Sequence, residues 1–502
     1  MNQARVSRRV FLEGFAGAGL FAGMRAFAAP SGMFSKGKAN LVFGIVTDIH
    51  VAQEIDKAGN LAFVKNHDTE TFKVALRWFD GQGVDAVVLC GDMADRGLVS
   101  ELQTVADAWF GVFPGDRAAD GRKVERVFVT GNHDWEGQNY GTNVQKMYPD
   151  EAEFARRVLR TDLAKNWKEI FHEDFASVYR KDVKGYAFVG AHWCAGKRCA
   201  GHDERFNDDV EAFYAANGAK LPKGRPFFHV QHPHPKDTCY GPWAWGRDAG
   251  QATRSLSAFP NAVAFSGHSH YALTDERSIW QGAFTSVGCG SLRYPGTPYD
   301  SVGPNGYENT SCGLGREGNK DKMSGIVGPR GRHLRNGLLV RVYDDWIVLE
   351  RHEFTKDRSL GCDWVIPLAG NARPFAFEPR AKASVPPDFA AGARLEISRG
   401  RKTKWGGDEV EAYTVKIPGI APREGVARLW DYVVAAESSD GVRQEKRLLA
   451  YGYGFEADDP VVSQGADCSF EVAKLGPAPI KFTVWPCDCF GNRGKALKGE
   501  FG

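Results

Sequence analysis

Five short apolar runs in the first half of this 502-residue chain each give way at once to aspartate, asparagine or histidine. That juxtaposition narrows the folds open to the chain more than any other feature. The runs 41–46, 86–90, 127–130, 227–231 and 263–266 read as buried strands, because apolar residues continue with little polar alternation. Between the first two, Phe72, Ala75, Leu76 and Phe79 fall on one helical face. Leu98, Leu102, Val105, Ala106 and Trp109 repeat that pattern between the second and third. Strand–helix–strand order with strands covered on both faces predicts a layered α/β domain. Segments 174–179 and 185–192 predict a hairpin inserted before Phe227. Segments 338–342 and 346–350 predict another around Asp344-Asp345.

Chemistry in α/β sheets collects where strands end, and the motifs here sit at those points. Asp48-Ile49-His50 follows the first strand, and Gly91-Asp92-Met93-Ala94-Asp95-Arg96-Gly97 the second. Gly131-Asn132-His133-Asp134 follows the third, His232 the fourth, and Gly267-His268-Ser269-His270 the fifth. Each motif alone is weak. Together they offer two carboxylates, one amide oxygen and four histidines, a mixed set too large for one tetrahedral zinc and suited to two metal ions. In extended chain, residues i and i+2 face the same side, so D-x-H and H-x-H would each present two side chains to a metal.

The ordered set D-x-H, G-D-x-x-D-R-G, G-N-H-D, H and G-H-S-H resembles the calcineurin-like metallophosphoesterase superfamily, over roughly residues 40–355. The resemblance implies a β-sandwich core flanked by helices, spanning 39–355, that hydrolyses phosphate esters. It assigns Asp48, His50 and His270 to a first metal and Asp92 to both. Asn132, His232 and His268 would complete a second, the ions being Mn, Fe or Zn. His133 would be the catalytic histidine that assists the leaving group, with Asp95 as the carboxylate that orients it and keeps its pKa high. Gly91–Gly97 also matches the protein Ser/Thr phosphatase branch, where the arginine contacts phosphate, so Arg96 inherits that role. A hydroxide bridging two cations would attack phosphorus in line. The rivals are a phosphodiesterase or pyrophosphatase on nucleotide- or lipid-type substrates, and a non-catalytic surface-binding protein that works through its C-terminal β-module.

Neighbouring residues carry alternatives. His234 competes with His232, which is preferred because it comes first after its strand, while His229 lies within the strand and reads as core. Asp134 is either an outer partner of the site or solvated, and Cys90 reads as a small hydrophobe. His192, Cys194, Cys199 and His202 are cramped for a structural zinc, so a Cys194–Cys199 disulfide or free thiols are preferred. The aromatic stretch 239–245 and the residues Tyr294 and Tyr299 would either stack on an organic leaving group or pack as ordinary loop. Residues 291–336, rich in Gly, Pro, Asn and Ser, are too long for an idle connection and predict a loop beside the site.

Beyond Pro367 the segments 394–398, 412–417, 432–436, 446–451, 469–472 and 481–485 alternate without helical periodicity, which predicts a second, all-β sandwich domain over 372–502. The run Phe482-Thr483-Val484-Trp485-Pro486 resembles the closing strand of fibronectin-III-like modules. Such a module would dock on the first domain, contact the cell envelope, or act as a spacer. Cys468 and Cys487 lie symmetrically about Gly476-Pro477-Ala478-Pro479 and would oppose each other in a hairpin, in disulfide reach.

The first 28 residues read as an address: Arg5, Arg8 and Arg9, an apolar run from Gly14 to Met24, then Ala26-Phe27-Ala28. Ser7-Arg8-Arg9-Val10-Phe11-Leu12 resembles the twin-arginine export signal, which implies a periplasmic or extracellular protein. Lys+Arg and Asp+Glu nearly balance, 64 against 62, for a formal charge of +2. Cleavage after Ala28 would remove four arginines and Glu13 and leave −1, so the slight basicity belongs to the address. Such a balance excludes a polybasic nucleic-acid binder. The expected partner is a small phosphate ester, with no transmembrane anchor.

Overall fold

The computed structural model describes residues 28–29, 37–55, 61–63, 67–135, 150–194, 203–204, 207–242, 244–293, 307–308, 334–403, 408–450 and 463–502. Along the chain, β1 (Leu41–Val46) leads through α1 (His67–Gly81) to β2 (Ala86–Cys90), and through α2 (Val99–Val112) to β3 (Glu125–Val129). The predicted hairpin is β4 (Val178–Val183) and β5 (Tyr186–Ala191). Then α3 (Asp209–Asn217) leads to β6 (Phe227–Val230), and α4 (Gln251–Leu256) to β7 (Ala262–Ser266). Next come β8 (Ile279–Gln281), β9 (Thr285–Gly288), β10 (Asn336–Val342), β11 (Trp346–Glu353) and β12 (Asp363–Pro367).

These strands form two sheets. The first runs β12-β11-β10-β1-β2-β3, parallel from β1 to β3 and antiparallel from β1 through β10 to β12; the second runs β8-β9-β7-β6-β5-β4, parallel from β5 to β9. Phe43 of β1 meets Phe188, Phe228 and Phe265 of the opposite sheet edge to face, with ring centroids 4.8–5.9 Å apart, and this aromatic layer joins the sheets. On the outer face of the first sheet lie α1 and α2, where Phe72, Leu76, Phe79, Leu102, Val105 and Trp109 are buried. On the outer face of the second lie α3 and α4, through Val210, Tyr214, Ala252 and Leu256. Strands covered on both sides need unbroken apolar runs. The layered sandwich expected from the sequence is therefore observed.

Past this core, β13 (Glu396–Thr403), β14 (Glu409–Ile417) and β17 (Ala466–Glu471) form one sheet. The other contains β15 (Asp431–Ser438), β16 (Arg443–Leu449), β18 (Ile480–Cys487) and β19 (Leu497–Phe501). Val415, Tyr432, Val434, Phe470 and Phe482 fill the space between them. The expected hairpin pairing of Cys468 with Cys487 is not found. β17 pairs with β14 while β18 pairs with β15, so the two cysteines lie in different sheets as free thiols. The intervening segment crosses from one sheet to the other through a short helix, Val472–Leu475. Ala28 and Ala29, which flank the expected cleavage point, pair backbone to backbone with Trp364 and Asp363. Among the described residues no helix is long and apolar enough to cross a membrane.

Candidate dimetal site

All five motifs converge at one end of the sandwich, where their loops are laced together by backbone hydrogen bonds. Asp48 and His50 N–H groups donate to the carbonyls of Gly91 and Asp92, both at 3.0 Å. Gly267 donates to the His232 carbonyl at 2.8 Å, and Leu292 to that of Thr47 at 3.0 Å. Beside a partly exposed group of His50, Asp95 and His133, the side chains sort into two fully buried groups of mutually adjacent donor atoms: Asp48, His50, Asp92 and His270, and Asp92, His232 and His268. Asp92 belongs to both.

Convergence does not come from extended chain, as the i, i+2 argument supposed. Asp48, His50, Asp92, His268 and His270 have φ of 53°, 51°, 52°, 71° and 56°. After β1, β2 and β7 these polar residues turn into the left-handed region, which costs about 1–2 kcal/mol per residue. That turn aims His270 at one group and His268 at the other. Strain of this kind collects at functional sites and persists where the surroundings over-determine it. Two glycines make room: a Cβ on Gly131 would collide with the Asp92 carboxylate, and one on Gly267 with Thr47 and Asp48.

Outer partners decide which atom of each group faces inward. Asp48 Oδ2 accepts from Thr47 Oγ1 at 2.7 Å and from the His268 N–H at 3.0 Å, while Oδ1 lies 3.0 Å from His270 Nε2. Asp92 Oδ1 accepts the His133 N–H at 2.9 Å, while Oδ2 faces His232 Nε2 at 3.0 Å and His50 Nε2 at 3.6 Å. His232 Nδ1 donates to the Cys90 carbonyl at 2.6 Å, leaving Nε2 for the site. His50 and His270 Nε2 approach to 3.0 Å, and His268 Nδ1 lies 3.1 Å from His232 Nε2. Outer hydrogen bonds that fix the tautomer and orientation of inner imidazoles are what a metal site requires.

Electrostatics agree. Burial disfavours charge on His50 and His232, yet the carboxylates around them hold their pKa values up to about 10 and about 9. Burial also opposes ionisation of Asp48, Asp92 and Asp95, yet the facing imidazoles hold all three below the usual carboxylate range. Buried oxygen and nitrogen donors that draw this much positive charge fit divalent or trivalent cations.

His232 is the inward histidine, as preferred. His234 is saturated by Ser266 Oγ at 2.7 Å and Ser269 Oγ at 2.6 Å, and His229 bonds to Tyr214 and Gln231 in the core. Asp134 is fully buried, accepting from the N–H groups of Ala94 (2.7 Å) and Gly131 (2.8 Å), so it ties the second motif to the third. Burial and the charge of Asp92 push its pKa up to about 7. Asn132 is buried at the start of the short helix Asn132–Trp135.

Asp95 departs from expectation. His133 Nδ1 donates to the Asp95 backbone carbonyl at 2.8 Å, and the carboxylate is 3.9 Å away. That carboxylate instead lies 3.3 Å from His50 Nδ1 and pairs with Arg293. Burial, aided by the charge of His50, outweighs Asp92 and Asp95 and lowers the His133 pKa to about 4, against the expectation of a high value. His133, Asp95 and Arg293 are 20–28% exposed, in contrast to the buried inner groups, and mark the mouth of the site.

Arg293 was missed from sequence. It follows the end of β9, a sixth strand end whose Ser291 hydroxyl is 3.3 Å from His270 Nδ1. The Arg96 N–H donates to Glu101 Oε2 at 3.0 Å. Of the aromatic stretch, Tyr240 packs against Tyr271 with its hydroxyl on Ser278, whereas Trp245 stacks on the His268 ring at 4.5 Å. His192 is packed among Trp167, Phe175 and Tyr179. Cys199, His202, Trp243, Tyr294, Tyr299 and most of 291–336 lie outside the described residues.

The calcineurin-like phosphoesterase family profile matches residues 41–272, the stretch that supplies every residue of both groups. Residues 41–272 are a calcineurin-like phosphoesterase domain. This phosphoesterase has an intact metal-binding Asp/His cluster. Among solved structures the chain is similar to a dimetal phosphatase from Danio rerio, at 12% identity and a TM-score of 0.38, covering 66% of this chain and 100% of that one. It is also similar to a purple acid phosphatase from yellow lupin (Lupinus luteus) seeds, at 12% identity and a TM-score of 0.35, covering 65% and 53%. No curated protein matches the chain.

Proposed function

We propose that the chain is an exported, dinuclear phosphoesterase that hydrolyses small phosphate esters by direct attack of water. The observation that carries this reading is Asp92 Oδ2, one buried oxygen directed at both histidine groups. Asp48, His50 and His270 would hold one ion, Asn132, His232 and His268 the other, and Asp92 both. When bound, such a pair of cations acidifies a shared water and offsets charge on phosphoryl oxygens. Trp245 and Trp193 beside the His268 ring restrict its movement. His133 is fixed through Nδ1 by the Asp95 carbonyl, so Nε2 is the nitrogen that would pass a proton to the departing oxygen, and it would do so from the imidazolium form, which burial makes the minor one near neutral pH. The Arg8-Arg9 signal supports export by the twin-arginine route, which carries folded proteins.

Two arginines compete for the phosphoryl oxygens. Arg96 has the family's motif position, but Arg293 reaches the mouth and pairs with Asp95 there. Arg293→Ala is expected to raise KM about 10- to 100-fold, the worth of a hydrogen bond to a charged group, with metal content unchanged. An unaltered KM would restrict Arg293 to holding Asp95.

The reaction class is checked on protein loaded with Mn²⁺, Fe or Zn²⁺ and offered p-nitrophenyl phosphate or its bis ester. Turnover of the monoester is expected. Preference for the bis ester would transfer the assignment to the diesterases, and no turnover of either with any ion would sink it.

A further inference from the structure

The turn that carries His268 and His270 continues beyond the site into contact with the C-terminal sheets. Ala272 is fully buried in a cluster with Tyr307, Trp430 and Leu449. Its carbonyl accepts the Asp275 N–H at 2.9 Å and the Ser278 hydroxyl at 3.3 Å, which closes the turn before β8. Within that turn Arg277 folds back onto both oxygens of Asp275, at 3.2 and 3.0 Å, and its guanidinium lies 4.5 Å from the Trp430 ring centroid. The Trp430 indole donates to Tyr307 Oη at 2.8 Å. Tyr307 donates in turn to Asp431 Oδ2 at 2.9 Å, an oxygen that also receives Arg447. On the other side Glu276 accepts from Arg351 of β11 at 2.7 Å and from Arg380 at 2.9 Å. The same Arg380 guanidinium lies 5.1 Å from the Phe490 ring of the C-terminal region.

These contacts are unlike those of a spacer. Tyr307 and Asp431 are fully buried and Trp430 nearly so. The Arg277 charge is also buried, and a desolvated cation over an indole face is held more strongly than an exposed one. The His268 and His270 backbone angles are unfavourable, so both ends of their segment must be held. The near end is β7. The far end is this turn, with Trp430 lying across it.

We propose that the C-terminal β-sandwich is a positioning element of the dimetal site. Trp430, braced by Tyr307 and Asp431, clamps the 272–278 turn and thereby keeps His268 and His270 in their groups. This inference rests on the dimetal reading, and its test separates the two.

The full chain is compared with Trp430→Ala, Trp430→Phe and Tyr307→Phe. Three quantities are read: hydrogen exchange of the 268–278 amides in metal-free protein, affinity for Mn²⁺ and Zn²⁺ by chelator competition, and the split between kcat and KM. Trp430→Ala should accelerate exchange selectively over 268–278 and weaken metal affinity about 10- to 100-fold, as for other outer-layer changes at metal sites. KM at saturating metal should stay level. Trp430→Phe, which keeps an aromatic face, should recover most of the loss, and Tyr307→Phe should fall between. Wild-type exchange and metal affinity in both Trp430→Ala and Tyr307→Phe would overturn the clamp. If Trp430→Ala does not fold, Tyr307→Phe decides. If the unmodified chain takes up no metal, the dimetal reading fails, and the exchange comparison still decides the clamp.

Discussion

Asp92→Ala is expected to abolish binding of two metal ions and to lower kcat/KM by about 10³-fold or more. The size follows from the several kcal/mol that metal ions contribute to stabilising charge in phosphoryl transfer, at 1.36 kcal/mol per tenfold. The reasoning is specific to this carboxylate. Its Oδ1 is occupied by the His133 N–H, so Oδ2 alone faces His232 and His50. Removing it takes a ligand from both groups at once and leaves two imidazoles without the charge that favours a cation. Asp48→Ala provides the contrast. Asp48 belongs to one group only, so that variant should retain about one equivalent, held by Asp92, His232 and His268. Elemental analysis of the purified variants decides the matter. Two equivalents in Asp92→Ala would show that the two groups do not share this oxygen.

Much of this site was legible because buried strands announce themselves and chemistry gathers at their ends. The five apolar runs correspond to β1, β2, β3, β6 and β7, and every predicted metal ligand lies within four residues after its strand. What remained hidden was local backbone geometry. Left-handed angles at aspartate and histidine leave no periodic trace, so the H-x-H motif read as extended chain, although the family resemblance already divided His270 and His268 between the two groups. The role of Asp95 was obscured for a similar reason: sequence placed the residue near His133, but only the fold distinguishes its carbonyl from its carboxylate. Arg293 did have a signal, since it follows a strand end, but the Gly- and Ser-rich surroundings carried no motif. The symmetric cysteines misled because consecutive strands of a sandwich change sheets as readily as they form hairpins.

His133→Ala should separate binding from chemistry. Its side chain stands at the mouth, and the contact it makes with Asp92 is through its backbone N–H, which alanine keeps. Metal content should therefore remain at the unmodified level while turnover falls about 10²- to 10⁴-fold, the usual worth of a positioned acid–base group. The magnitude should depend on the leaving group. With Nδ1 bonded to a carbonyl, the imidazole can pass a proton only through Nε2. A departing p-nitrophenolate hardly needs that proton, whereas an alkoxide does. The loss on an alkyl phosphate should therefore exceed the loss on p-nitrophenyl phosphate by at least about tenfold. Equal losses on both esters would remove His133 from leaving-group protonation and place its effect on phosphate binding, where KM rather than kcat would move.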